Sequence, residues 1–140
     1  MLFIGICGAS GSGKSTLAQE LVRDIGASSV VVNQDAYYLD HPDLTFEERT
    51  RLNYDEPCIF DHDLLYRDVC SLLDGKPITR KAYDFAAHRR CDTDELVYPP
   101  EVLIVEGIHS FYDPRLREKM FIKLYINVEP DICLLRRISR

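Results

Sequence analysis

The chain has 140 residues, 46% of them hydrophobic and 29% charged, with a formal net charge of -6. That length suits one continuous core, and the apolar share is enough to offset the ordering entropy that keeps polar, low-complexity chains unfolded. The acidic balance argues against wide contact with a nucleic-acid polyanion, and the apolar run at the amino end is far below membrane-spanning length.

Leu2 to Cys7 reads as a buried strand, followed at once by glycines and then by an amphipathic helix with Leu17, Leu21 and Ile25 on one face. Gly26 is placed to end that helix. Val30 to Val32 forms a second strand, whose β-branched content favours a buried parallel position, and it runs into Asn33, Gln34 and Asp35. From Tyr37 to Phe60 no clean period holds, so loop is expected, with a short helix near Phe46 to Leu52. Asp61 then caps a helix whose inward residues are Leu64, Leu65, Val69, Leu72 and Leu73, and Gly75 stops it.

Ile78 to Phe85 and Glu95 to Tyr98 are strand-like and suggest a hairpin over about 78–98 that projects from the main sheet. Val102 to Val105 is a third strand of the main sheet and Phe121 to Val128 a fourth, with Asp113-Pro114 opening a short helix between them. Asp131 to Arg140 reads as a final helix. Strands alternating with helices predict an α/β fold with a doubly wound, mostly parallel sheet, organised as one domain over 1–140.

Gly8-Ala9-Ser10-Gly11-Ser12-Gly13-Lys14-Ser15 matches G-x-x-x-x-G-K-[ST] at every fixed position, between a strand and a helix where the phosphate-binding P-loop must sit. Its glycines let successive N–H groups turn toward phosphate, and the helix adds the positive end of its dipole. Gly8, Ser10, Gly11, Ser12, Gly13, Lys14, Ser15 and Thr16 are therefore the expected nucleotide-binding residues. Lys14 would reach the β- and γ-phosphates of ATP, and the Ser15 hydroxyl would ligate Mg2+. No N-K-x-D follows to read guanine and no L-S-G-G-Q marks a transporter ATPase, which leaves a kinase as the leading class.

Phosphoryl transfer also needs carboxylates for the metal and for the acceptor hydroxyl. Asp35 follows the second strand and Glu106 the third, so both are expected at the sheet edge that carries the loop, Asp35 as acceptor-orienting acid and both as metal-associated groups. Basic residues gather at Arg80-Lys81, at Arg89-Arg90 and at Arg136, Arg137 and Arg140, which suits a small phosphorylated ligand. The five cysteines, Cys7, Cys58, Cys70, Cys91 and Cys133, show no C-x-x-C spacing and fit a reducing cytoplasm rather than a disulfide framework or a zinc site.

These motifs together resemble the uridine kinase family of pyrimidine salvage. The likeness is carried by the phosphate loop, Gln34-Asp35-Ala36-Tyr37-Tyr38, Asn53-Tyr54-Asp55 with Pro57 and Phe60-Asp61, Tyr83-Asp84-Phe85 with His88 and Arg90, Glu106-Gly107-Ile108, and Asp131 with Arg136-Arg137 and Arg140. The resemblance implies phosphorylation of the 5′-hydroxyl of uridine or cytidine, with Asp35 catalytic and Glu106 associated with magnesium. It implies Asp55 on the ribose hydroxyls, Tyr83 and His88 on the pyrimidine edge, and Tyr54 and Phe85 beside the base. Arg136, Arg137 and Arg140 would form the basic helix that meets the transferring phosphate, with Arg137 also on the substrate.

The chain departs from the family at Glu56, where a histidine is usual, and at Cys133, where an arginine contacts the nucleoside. The family also continues past the position of Arg140 through the rest of a lid helix and another strand. Nicotinamide riboside, pantothenate and phosphoribulokinase-like kinases are the neighbouring alternatives, and a nucleotide-binding module without turnover is the alternative from another class. Homo-oligomer formation stays open, with Ile78 to Tyr98 as the expected contact surface.

Overall fold

A computed structural model describes residues 1–26 and 28–139. In chain order the elements are β1 (Leu2–Gly8), α1 (Lys14–Ile25), β2 (Ser29–Asn33), α2 (Phe46–Thr50), α3 (His62–Leu73), β3 (Ile78–Thr79), β4 (Tyr83–Asp84), β5 (Arg89–Arg90), β6 (Leu96–Val97), β7 (Val102–Gly107), α4 (Pro114–Arg117), β8 (Ile122–Ile126) and α5 (Pro130–Ile138). Short 3₁₀ turns occupy Gln34–Tyr37 and Pro57–Ile59. Two compact units divide the chain: Met1–Asn33 with Pro100–Arg140, and Gln34–Pro99.

The first unit carries a four-stranded sheet in the order β2-β7-β1-β8. Every neighbouring pair is parallel. Parallel strands bury both faces and so favour unbroken apolar runs, which is what Phe3 to Cys7 and Val102 to Val105 supply. On one face Ile4, Ile6, Val102 and Ile104 form a core with Ala18, and Leu17, Leu21 and Ile25 of α1 pack against it. On the other face Met120 and Phe111 lie so close over Gly5 that a Cβ there would collide with them. Helix α1 ends at Gly26, whose φ of 68 is the left-handed cap expected of that position.

The edge strands differ from their sequence reading. In β2 only Val32 is fully buried. Strand β8 covers Ile122–Ile126, shorter than the Phe121 to Val128 run, and is largely exposed, with Tyr125 66% accessible and Phe121 just before it 80%. Apolar composition alone does not tell a central strand from an edge strand, because that depends on which strands lie beside it.

In the second unit Asp61 caps α3 by accepting from the Leu64 N–H at 3.0 Å, as its position predicted. Leu65, Val69 and Leu72 are buried, while Leu64 and Leu73 are half-buried. Helix α2 opens with a capping box between Thr45 and Glu48. The expected hairpin is two short antiparallel ladders: Ile78 and Thr79 pair with Val97 and Leu96, and Tyr83 and Asp84 pair with Arg90 and Arg89. The inner ladder therefore uses Arg89-Arg90, a polar pair that no propensity marks as strand. Among the described residues no helix is long and apolar enough to cross a membrane.

Candidate active site

The first unit builds a phosphate cradle. Strand β1 ends at Gly8, and the loop closes through Ser12 N–H donating to the Ala9 carbonyl at 3.0 Å. Gly13, at φ 96, caps α1 in a conformation that L side chains rarely adopt, without a side-chain hydrogen bond and with no acid in the first turn. The amino end of α1 thus keeps its N–H donors and dipole for an anion. Gly11, Gly13, Lys14, Ser15 and Thr16 line a small cavity of about 50 Å³. A larger one, about 470 Å³, continues along Gly11 to Gly13, Thr16, Leu17 and Glu20 to Arg136. Ser10 is half-buried at the outer turn of the loop.

Across the sheet, Ile6 of β1 and Asn33 of β2 both stand opposite Glu106 of β7, so the three carboxyl ends are level. That register brings the Ser15 hydroxyl within 3.1 Å of Glu106 Oε1, to which it donates. Glu106 is 4% exposed. A hydroxyl and a carboxylate held together are hard oxygen donors of the type Mg2+ takes alongside phosphate oxygens and waters, so this pair fits the metal. Among the described residues no three His, Cys, Asp or Glu side chains gather as a metal-holding group.

Helix α5 packs on the loop from outside. Arg136 donates to the main-chain carbonyls of Gly11 at 3.2 Å and Ser12 at 3.3 Å. Cys133 is buried, and a Cβ on Gly11 would lie 2.6 Å from the Cys133 carbonyl oxygen, so Gly11 is required there for close approach as well as for its φ of 83. Here the position read as an arginine in the resemblance serves as packing. Arg137 is exposed on α5, and Arg140 lies outside the described residues.

The second unit gathers aromatic rings around Tyr38. Its ring stacks on Phe60 at 4.5 Å and meets Tyr83 at 5.1 Å, Tyr54 at 5.3 Å and Phe85 at 6.2 Å. His88 adds its imidazole 5.2 Å from the Tyr54 ring. The four predicted base-contacting residues, Tyr54, Tyr83, Phe85 and His88, are thereby brought together. Sequence reasoning missed the hub: Tyr38 stands in the Gln34 to Tyr38 motif, but nothing in the motif says which tyrosine turns inward.

Burial raises the Tyr38 hydroxyl above its ordinary range, and the negative fields of Asp35 and Asp55 raise it further. Both acids are exposed. Tyr38 therefore stays a neutral donor, to the Tyr54 carbonyl at 3.3 Å. Glu56 accepts from the Asn53 amide nitrogen at 3.2 Å, so this departure from the family serves the turn that presents Asp55.

The segment after Tyr38 is tied to the inner hairpin by a fork: Arg89 donates through Nε to Asp40 Oδ1 at 2.7 Å and through a terminal nitrogen to Oδ2 at 3.0 Å. The Arg90 N–H also donates to Asp40. The Arg89 bond, with the Arg90 N–H behind it, holds the Asp40 carboxyl below the usual carboxylate range. A depressed folded-state pKa gives stability that is present above the unfolded value, about 3.9 for Asp, and is lost as pH falls through the folded value. Asp40→Asn should accordingly lower the thermal midpoint at neutral pH and converge with the parent in acid. Melting curves across pH check this, and a gap that persists in acid would contradict it.

A parallel α/β sheet with a glycine-rich loop gripping the amino end of the first helix defines a P-loop nucleotide-binding protein. The profile of the phosphoribulokinase / uridine kinase family matches residues 3–140, and the chain belongs to that family. It is 44% identical over 140 residues to a uridine kinase of Clostridium perfringens, covering 99% of this chain and 67% of that one. A uridine kinase of Halalkalibacterium halodurans is also 44% identical, with 99% and 66% covered. The chain thus spans about two thirds of the length of these curated relatives. Among solved structures, one described as a candidate fructose transport system kinase from Silicibacter sp. TM1040 superposes with a TM-score of 0.80 at 26% identity, covering 99% of this chain and 71% of that one.

Proposed function

We propose that the chain transfers the γ-phosphoryl group of ATP to the 5′-hydroxyl of a pyrimidine nucleoside, uridine or cytidine. The observation that carries this reading is the pairing of Ser15 with Glu106 at the mouth of an intact phosphate loop, in a chain 44% identical to curated uridine kinases. Lys14 and the N–H groups of Gly11, Gly13, Ser15 and Thr16 hold the phosphates. The larger cavity beside Arg136 takes the rest of the donor nucleotide.

The acceptor oxygen attacks the γ-phosphorus as the bond to the bridging β,γ-oxygen breaks, and ADP leaves. Asp35 orients that hydroxyl and collects its proton; because the transition state is loose, a strong base is not needed. Ser15 and Glu106 would hold Mg2+, which when bound would neutralise charge on the phosphates. Asp55 accepts from ribose hydroxyls, which disfavours ligands lacking them. Tyr83 and His88 meet the pyrimidine edge, with Tyr54 and Phe85 beside the ring, and Arg136 and Arg137 supply positive charge to the transferring group and the substrate.

The substrates are small molecules, the setting is cytoplasmic, and neither nucleic acid nor membrane is a partner; a homo-oligomer would use the hairpin at 78–98. A panel assay with ATP, Mg2+ and uridine, cytidine, nicotinamide riboside or pantothenate tests the reading. Phosphorylation of the pyrimidine nucleosides, with little of the other two, is expected. ATP binding without phosphorylation of any acceptor would overturn it in favour of a nucleotide-binding module.

A further inference from the structure

We propose that Arg49 is a positioning residue for His88, and through it sets how the base of the acceptor nucleoside is read. The inference rests on the assignment of His88 to the pyrimidine edge made above. His88 has φ 53, and it is the one non-glycine residue with positive φ among those described. A residue held in this region by its surroundings is strained, and such strain gathers at ligand-contacting sites.

The peptide that enters His88 is fixed from two sides. Asp84 Oδ1 accepts from the N–H groups of Ala86 at 2.9 Å and Ala87 at 3.1 Å, closing the turn. The Ala87 carbonyl, which belongs to the peptide bonded to the His88 nitrogen, accepts from a terminal nitrogen of Arg49 at 3.1 Å. The other terminal nitrogen donates to the Leu44 carbonyl at 2.7 Å, so a single planar guanidinium spans two backbone segments.

Arg49 also accepts at its own carbonyl from the Tyr54 hydroxyl at 3.0 Å. Its guanidinium lies 5.9 Å from the Phe46 ring. Phe46 and Tyr54 are the two rings that flank the His88 imidazole, at 5.8 and 5.2 Å. One side chain therefore orients the peptide before His88 and, through its backbone, one wall of the slot that the imidazole fills. Releasing the Ala87 carbonyl lets that peptide rotate and His88 return to negative φ, which moves the imidazole away from Tyr54.

The test compares the parent chain with Arg49→Met, His88→Ala and the double variant. In Arg49→Met the backbone and imidazole NMR resonances of His88 should shift, uridine affinity should fall about tenfold, and ATP affinity should stay at the parent value. The double variant should bind uridine no more weakly than His88→Ala alone, because the arginine acts through the histidine. Arg49→Lys, which can reach one carbonyl only, should fall between, and it keeps the test available if Arg49→Met does not fold. Unmoved His88 resonances, or losses that add in the double variant, would overturn the proposal. A parent chain that binds no pyrimidine nucleoside would count against the proposed function, while the His88 resonances would still decide the role of Arg49.

Discussion

Asp35→Asn is expected to slow phosphoryl transfer by about a hundredfold or more while leaving ATP affinity near the parent value. The residue follows β2 by two positions, in the turn Gln34–Tyr37, and its side chain is exposed rather than part of any core. The amide keeps the size of the carboxylate and loses its charge and its basicity, so orientation is weakened and the acceptor hydroxyl loses the base that collects its proton. In the proposed function ATP is held by the loop and α1, which belong to a different unit of the chain from Asp35. Single-turnover rates with uridine and a separate ATP titration measure the two effects. Full activity in the variant would remove Asp35 from its role.

Lys81→Met is expected to cost about 3–5 kcal/mol of stability, the usual penalty for leaving a buried charge without its partner. Lys81 Nζ lies 3.0 Å from Asp68 Oδ2, with side-chain exposures of 10% and 12%. It also donates to the Thr79 carbonyl at 2.7 Å, and Tyr37 donates its hydroxyl to the same Asp68 oxygen at 2.8 Å. Burial and the neighbouring Asp68 push Tyr37 upward, so it stays a neutral donor throughout the working range. Adding Asp68→Asn to Lys81→Met should recover part of the loss, since the orphaned charge goes with it. Chemical denaturation of the parent and both variants reads this directly. A double variant no more stable than Lys81→Met would contradict the ion-pair account. Tyr37 and Asp35 share one 3₁₀ turn, so the network is a stability element that ends beside a proposed catalytic residue.

Several elements were legible because their causes are local. The Gly8 to Ser15 loop, the Asp61 and Asp113 caps and the left-handed Gly26 each depend on a few adjacent residues and on rules of backbone geometry. The alternation of apolar runs with helical periods likewise led to the parallel α/β sheet. Asp40 and Arg89 gave no such signal: they are 49 positions apart, and Arg89-Arg90 reads in the sequence as a basic cluster for a phosphorylated ligand rather than as the partner of Asp40. Nor did Arg49 and Ala87, or Lys81 and Asp68.

By itself, then, the sequence determined the phosphate cradle, the class of fold and the residue types available for phosphoryl transfer, since short-range sterics, capping and periodicity are properties of consecutive residues. Tertiary structure alone decided that β8 is an exposed edge, that Tyr38 is the centre of the aromatic group, that Cys133 packs against Gly11 and that Glu106 meets Ser15. The β8 edge and the Glu106–Ser15 pair depend on strand order and register, and the Tyr38 group and the Cys133 contact on side-chain packing; all of them join residues far apart in the chain, which no local preference decides.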